Sequence, residues 1–160
     1  MALLEMMDAL NEAGNYRVLY VNIETAQTAR GDVERGMATV CSAFCAAAEY
    51  YLADKRPFVW LYEIGKTIPA DERFINFIRY WCQSDKNFPT VLFIDEADAL
   101  IGDTLISLLR QIRSGYNQRP EAFPQSVVLC GLRDIRDCRV HSGNDEPGIR
   151  DLFLLPVKYK

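Results

Sequence analysis

The chain has 160 residues, of which 49% are hydrophobic and 25% charged, so we expect one globular domain over residues 1–160. A chain of this length can bury a core without disulfides or a structural metal. The formal net charge of −4 argues against binding to nucleic acid or anionic membranes by bulk charge, and no apolar run is as long as a membrane span.

The first predicted elements are a helix and an inner strand. Leu3, Met7 and Leu10 recur at helical spacing, and Gly14 supplies a break after them. The chain is therefore expected to begin inside a helix. Arg17–Glu24 follows as a nearly continuous apolar run rich in β-branched and aromatic residues, which is typical of a strand covered on both faces in a parallel sheet.

Two amphipathic helices are predicted next. Thr25–Gly31 is expected to be a polar loop, Pro57 to end the first of these helices, and Pro69–Glu72 to begin the second. The apolar positions that define the first helix are Met37, Val40, Cys41, Phe44, Cys45, Ala48, Tyr51 and Leu52. Those that define the second are Phe74, Ile75, Phe77, Ile78, Trp81 and Cys82.

The second half of the chain continues the alternation. Thr90–Ile94 predicts a buried strand, the apolar positions from Leu105 to Ile112 a helix, and Ser126–Cys130 another buried strand. His141–Gly148 is expected to be a loop, and Leu152–Lys160 to begin one more strand. Strands and helices that alternate in this way predict an α/β fold with a mostly parallel sheet and helices on both faces.

The cysteines indicate a reducing compartment. All five lie in apolar runs and form no CxxC pair, so buried, reduced thiols and a cytoplasmic location are expected. His141 is the only histidine, which leaves the cysteines without the further ligands that zinc needs. Glu5 and Asp8 interrupt the first apolar stretch, so it does not resemble a secretory signal.

Two carboxylates follow the buried strand at Thr90–Ile94. Asp95 and Glu96 come directly after it, at the edge of an α/β sheet where ligands bind. A hard divalent cation prefers oxygen ligands, and activation of water needs a nearby carboxylate base. The simpler alternative is that both acids cap the next helix, where negative charge favours the helix dipole.

Four apolar residues followed by Asp-Glu, in the run IDEAD, resemble the Walker B motif of P-loop ATPases, in particular the AAA+ and STAND-type branch. The resemblance implies that Asp95 holds Mg²⁺ through its water shell and that Glu96, as the catalytic residue, polarises the attacking water. It also implies a three-layer sandwich of the P-loop NTPase type. Arg17–Glu24, Thr90–Ile94 and Ser126–Cys130 would then be the second, third and fourth strands of the family.

The chain departs from the family pattern in two places. It begins at the first helix, so the phosphate-binding loop GxxxxGK[S/T] and the first, central strand are missing. The run Glu63–Thr67 (EIGKT) contains Gly-Lys-Thr, but Trp60 stands where the loop's first glycine belongs, and a turn between helices is the expected structure. The fourth strand ends in Cys130 where the family has a polar sensor residue, and Arg133 is a possible substitute.

Two functions remain open from the sequence. The first is an incomplete ATP-binding and ATP-hydrolysing AAA-like domain that keeps the Walker B acids, is inactive alone and binds Mg²⁺ and ATP weakly or not at all. The second is a non-catalytic protein-binding or scaffold module. Loss of the first strand would expose the edge of Ser126–Cys130, so a homo-oligomer formed through that edge is expected. Nucleic-acid binding through the arginine-rich second half ranks last because of the overall charge.

Overall fold

The computed structural model describes residues 2–131, which contain five α-helices, several short 3₁₀-helices and three parallel strands. The α/β class and the parallel sheet are therefore confirmed, whereas the predicted loop at His141–Gly148 and strand at Leu152–Lys160 lie outside the described residues. Within the described part of the chain, no helix has both the length and the apolar character needed to cross a membrane. The elements are α1 (Ala2–Glu12), β1 (Arg17–Asn22), α2 (Val33–Leu52), α3 (Arg56–Glu63), α4 (Ala70–Gln83), β2 (Thr90–Asp95), α5 (Gly102–Gly115) and β3 (Ser126–Leu129).

The strand that carries the acid pair is the centre of the described sheet. β2 pairs with β1 from Arg17 opposite Thr90 to Asn22 opposite Asp95, and with β3 along its other side. Val91–Ile94 are all buried, which confirms the expectation that this run is covered on both faces. A strand with two neighbours and two covered faces has no solvated side, and this explains its uninterrupted apolar sequence.

Alternate residues of the strands contribute to two separate apolar clusters. Leu19 and Leu92 belong to the larger cluster, which contains buried side chains of α2, α4 and α5. Val18 and Phe93 belong to a smaller cluster with Met7 of α1. This division follows from the period of two in a strand, which turns successive side chains to opposite faces.

The prediction that Pro57 ends the long helix is wrong. α2 ends at Leu52, where Ala53 adopts a left-handed conformation (φ 51°), and Pro57 lies in the first turn of α3. Proline is tolerated there because the first backbone N–H groups of a helix have no intrahelical acceptor. A proline in an apolar stretch can therefore begin a helix as well as end one.

The segment predicted as a polar loop at Thr25–Gly31 also has regular structure. β1 ends at Asn22, whose side-chain oxygen accepts a 2.8 Å hydrogen bond from the Glu24 backbone N–H, and Glu24–Ala29 then forms a 3₁₀-helix. Ala26 and Ala29 are buried on its inner side. Two small buried residues in a polar run give too weak a periodic signal to predict this helix.

Candidate functional site at the carboxyl edge of the sheet

The ends of the three strands meet around Asp95 and Glu96. The Ile23 backbone N–H, just after β1, donates to the Asp95 carbonyl at 3.1 Å. On the other side of β2, the Cys130 N–H donates to the Ile94 carbonyl at 2.8 Å. The expectation that both acids lie at the carboxyl edge of the sheet is therefore confirmed.

The Asp95 carboxylate is held by two donors. The Tyr20 hydroxyl donates to Oδ2 at 2.8 Å, and the Glu96 backbone N–H donates to Oδ1 at 3.0 Å. Tyr20 lies opposite Phe93 in the sheet register, so it shares a face with Asp95, two residues further along β2. A carboxylate offers about four lone-pair sites, so each oxygen still has one site available for a water molecule or a cation.

The Tyr20 hydroxyl remains a hydrogen-bond donor at neutral pH. Its pKa is raised to about 12, first by burial and then by the hydrogen bond to Asp95 and the charge of that carboxylate. Ionising Tyr20 would place two negative charges in contact. The tyrosine is therefore a neutral hydrogen-bond donor to the Asp95 carboxylate.

Glu96 has a backbone conformation that is uncommon for a residue with a side chain. Its φ of 56° and ψ of 38° are left-handed, and a short 3₁₀-helix, Ala97–Ala99, follows it. The Ala97 N–H donates to the Cys130 carbonyl at 2.8 Å, which fixes this turn to the end of β3. Strained conformations of this kind are concentrated at functional sites because the surrounding structure has to maintain them.

The Glu96 side chain opens into a cleft that Asp95 does not line. The pKa of the Glu96 carboxyl is raised by burial, and then by the negative charges of Asp95, Asp98 and Glu24. The cleft has a volume of about 670 Å³ and lies between the 3₁₀-helices that follow β1 and β2. Its lining residues are Glu24, Gln27, Thr28, Arg30, Glu96, Asp98, Ala99 and Ile101. The structure therefore places the two acids side by side in the backbone but directs their carboxylates to different surroundings.

Three residues of this edge were not identified from the sequence. Tyr20 holds Asp95, Asp98 lines the cleft, and Gly131 approaches Asp98 so closely that a Cβ at position 131 would overlap its carboxylate. Asp98 follows the acid pair directly in the sequence and could have been included with it. Tyr20 could have been found only from the register of β1 against β2.

The run Glu63–Thr67 is a turn between helices, as the sequence predicted. Gly65–Thr67 forms a 3₁₀-turn between α3 and α4, and Gly65 is buried. A Cβ at Gly65 would lie 2.9 Å from Trp60 Cζ3, so glycine is needed here for packing. The Arg73 Nε donates to the Gly65 carbonyl at 2.9 Å, which fixes the turn to α4.

The thiols match the expectation of buried cysteines in part. Cys41, Cys45 and Cys82 are free and buried, Cys130 is half-buried, and Cys138 lies outside the described residues. Burial raises the pKa of Cys45 to about 12 and that of Cys82 to about 11. These two thiols are therefore protonated and unreactive at neutral pH.

Asp95 offers a carboxylate of the kind that binds Mg²⁺, but the described residues around it do not form a complete magnesium site. Among residues 2–131, no three His, Cys, Asp or Glu side chains come close enough together to hold a metal ion. Mg²⁺ in nucleotide sites is commonly held by one or two carboxylates together with water and phosphate oxygens, and the remaining lone pairs of Asp95 suit that role. Arg133, the possible sensor, lies outside the described residues.

Comparisons of the chain with protein-family models, with curated proteins and with solved structures found no match.

Proposed function

We propose that this chain is the core of an AAA-like ATPase domain that keeps the Walker B acids and does not hydrolyse ATP by itself. The observation that carries the proposal is the position of Asp95 and Glu96 at the carboxyl end of the buried, central strand. Ligands of open α/β sheets bind at this edge. Helix capping does not account for the pair, because Glu96, at the N-cap position of the 3₁₀-helix Ala97–Ala99, makes no capping side-chain hydrogen bond, and the N-cap of α5 is Ile101.

Each acid has a separate task in the proposed site. Asp95, whose carboxylate is oriented by two donors, would hold Mg²⁺ through its water shell. Mg²⁺ would neutralise charge on the phosphates of ATP. Glu96, which lines the cleft, would accept a hydrogen bond from the attacking water and act as its general base.

The order of the strands supports a P-loop NTPase-type sandwich as the parent fold. In that family the second, third and fourth strands are adjacent, and β1, β2 and β3 are adjacent in this order here. In the family the first strand lies beside the fourth. The corresponding side of β3 carries no strand in residues 2–131, and the exposed and half-buried residues of β3 alternate.

The direction of α1 supports the same assignment. Near its carboxyl end, the Asn11 side chain bonds to both the N–H and the carbonyl of Val18 at the start of β1. α1 also packs through Leu3 and Met7 on the cluster that contains Phe93, so we infer that it runs opposite to β1, with its amino-terminal end toward the edge that carries Asp95. In P-loop ATPases the phosphate loop lies just before this end of the helix, where free N–H groups face the phosphates.

A phosphate loop supplied in the same reading frame is the direct test of the proposal. The 160 residues contain no GxxxxGK[S/T] sequence, so we propose that hydrolysis requires one from outside them. Genomic sequence upstream of Met1 that encodes this loop would favour the enzyme, whereas a genuine start codon at Met1 would favour a binding module.

If the loop is found, the longer chain should hydrolyse ATP, and Glu96→Gln should abolish hydrolysis while retaining nucleotide binding. Glu121→Gln is the matched control, because Glu121 is exposed and does not line the cleft. Equal loss of activity in both variants would contradict the role of Glu96.

The second candidate is a scaffold module, and the open side of β3 favours it. The strand has one neighbour among the described residues, and Val128 is 37% exposed. An unpaired edge of this kind can accept a strand from another protein or from a second copy. Because the 160 residues are expected to bind ATP weakly under either function, self-association together with the absence of a phosphate loop encoded upstream of Met1 would distinguish this function from the first.

A further inference from the structure

We propose that Tyr20 is a positioning residue that fixes the Asp95 carboxylate in the orientation required to bind a divalent cation. The proposal rests on the function assigned above to Asp95. It adds a residue 75 positions away in the sequence, on a different strand, whose hydroxyl contacts the carboxylate directly. It also predicts that the chain's affinity for a cation depends on a side chain that does not itself bind the cation.

The Tyr20 ring is fixed by its surroundings before it contacts Asp95. It packs against the cluster formed by Met7, Val18, Val91 and Phe93. The Tyr51 ring of α2 meets it edge to face, with 6.3 Å between the ring centroids. The hydroxyl therefore reaches Asp95 from a position set by packing, as a precise polar contact requires.

Two donors on different oxygens leave the carboxylate little freedom to rotate. The Tyr20 hydroxyl donates to Oδ2, and the Glu96 N–H donates to Oδ1. The second bond joins adjacent residues of the chain, whereas the first comes from another strand. Without the hydroxyl, only the bond from the Glu96 N–H would remain and the carboxylate could turn about it. Partners that orient a metal-binding carboxylate change metal affinity by about 10–100-fold when they are removed.

The test measures Mn²⁺ binding to the 160-residue chain by electron paramagnetic resonance. Tyr20→Phe keeps the ring and removes the hydroxyl, so the dissociation constant should rise by about 10-fold or more. Asp95→Asn should remove the binding. In the Asp95→Asn background, adding Tyr20→Phe should change nothing further, because the hydroxyl acts through the carboxylate.

Tyr51→Phe is the matched control, since it removes a hydroxyl from the ring that packs against Tyr20. This variant should bind Mn²⁺ as the wild type does. Thermal unfolding of all variants establishes that a lowered affinity does not reflect loss of the fold.

A wild-type chain that binds no Mn²⁺ would overturn the metal role of Asp95 and the role of Tyr20 together. Two results with the variants would also overturn the inference, and they differ in what else they affect. If Asp95→Asn abolishes binding and Tyr20→Phe binds like the wild type, Tyr20 has no positioning role and the proposed metal role of Asp95 stands. If Asp95→Asn binds Mn²⁺ like the wild type, the metal role of Asp95 is itself wrong and the role of Tyr20 is overturned with it.

Discussion

Gly36 in α2 packs directly against the Thr104 side chain in α5, so closely that a Cβ at position 36 would overlap Thr104 Cγ2. Both residues are buried, and the Thr104 hydroxyl donates to the Arg30 carbonyl at 2.6 Å. This bond also ties the start of α5 to the segment that precedes α2. The close approach of the two helices therefore requires the absence of a side chain at position 36.

We expect Gly36→Ala to lower the free energy of unfolding by about 1–3 kcal/mol, the usual cost of overpacking a core. The higher helix propensity of alanine, about 1 kcal/mol, opposes this effect, and the overlap with Thr104 outweighs it. Urea denaturation measures the difference. Adding Thr104→Ser removes the clashing methyl group and should recover part of the stability. Gly31→Ala is the control, because no atom lies within 4 Å of a Cβ there, and equal stability of both alanine variants would refute the expectation.

A second prediction concerns a buried carboxylate at the start of α3. Asp54 is 8% exposed and accepts hydrogen bonds from Arg56 Nε at 2.8 Å, Arg56 Nη2 at 2.7 Å and Trp81 Nε1 at 3.0 Å. Burial by itself would raise the pKa of Asp54, but the bonds from Arg56 and Trp81 outweigh it, and the pKa is lowered. The folded state therefore favours the charged carboxylate.

The stability contributed by Asp54 should depend on pH in one direction. Because the folded pKa lies below the unfolded value of about 4, the contribution is complete above that value and is lost as the pH falls through the folded pKa. Asp54→Asn should lower the free energy of unfolding by about 2 kcal/mol at pH 7, because the NH₂ group of the asparagine amide would face the N–H donors of Arg56 and Trp81. This cost should shrink below about pH 4. Chemical denaturation at pH 7 and below about pH 4 measures this difference in unfolding free energy. Asp8→Asn is the control, because Asp8 is exposed. A destabilisation by Asp54→Asn that is the same at both pH values would contradict the expectation.

A third prediction is that the 160-residue chain binds magnesium-ATP weakly or not at all. The phosphate loop normally supplies most of the contacts to the phosphates, and only the Asp95 end of the proposed site is present. Isothermal titration calorimetry is the measurement. A dissociation constant in the low micromolar range would contradict the expectation and would require a phosphate-binding surface elsewhere in the chain.

The central strand was the most predictable part of this fold, whereas β1, predicted as an inner strand, lies at the edge of the described sheet, and β3, predicted as buried, has only exposed and half-buried residues. β2 has a continuous apolar sequence between Pro89 and the acid pair, and its boundaries agree with the prediction to within a residue. α3 was missed because Phe58, Val59 and Tyr62 are exposed, so its apolar residues do not mark a single buried face. The pattern of apolar residues in one sequence therefore predicts an element well only when its buried positions recur at regular spacing along the chain.

The candidate site was predictable only where it is local in sequence. Asp95 and Glu96 are adjacent and follow an apolar strand, so their position at the sheet edge could be inferred. The separate surroundings of the two carboxylates could not be inferred, because they depend on the left-handed backbone of Glu96 and on the hydroxyl of Tyr20, which is 75 residues away in the sequence. Contacts across a sheet become predictable only once the register of the strands is known.

The last prediction concerns self-association through β3. In residues 2–131 this strand has β2 as its one neighbour, and its other side carries N–H and C=O groups without a strand opposite them. Leaving such groups buried and unpaired costs about 1–3 kcal/mol each, so water, another segment or a second chain has to satisfy them. The segment Leu152–Lys160 contains Pro156, which has no N–H to donate, so we expect a second copy to pair along this side.

Sedimentation velocity at micromolar concentration should therefore show a dimer or a larger assembly. Val128→Lys places a charge on the open strand and should shift the protein to monomer, as edge lysines do in natural sheets. Tyr50→Lys is the control, because Tyr50 is 82% exposed on α2, away from the open side of β3, and it should leave the assembly unchanged. Association that survives Val128→Lys but is lost in Tyr50→Lys would place the interface on α2. A wild-type monomer would mean that water satisfies the strand edge at little cost, since an exposed N–H or C=O loses almost nothing by bonding to solvent instead of to protein.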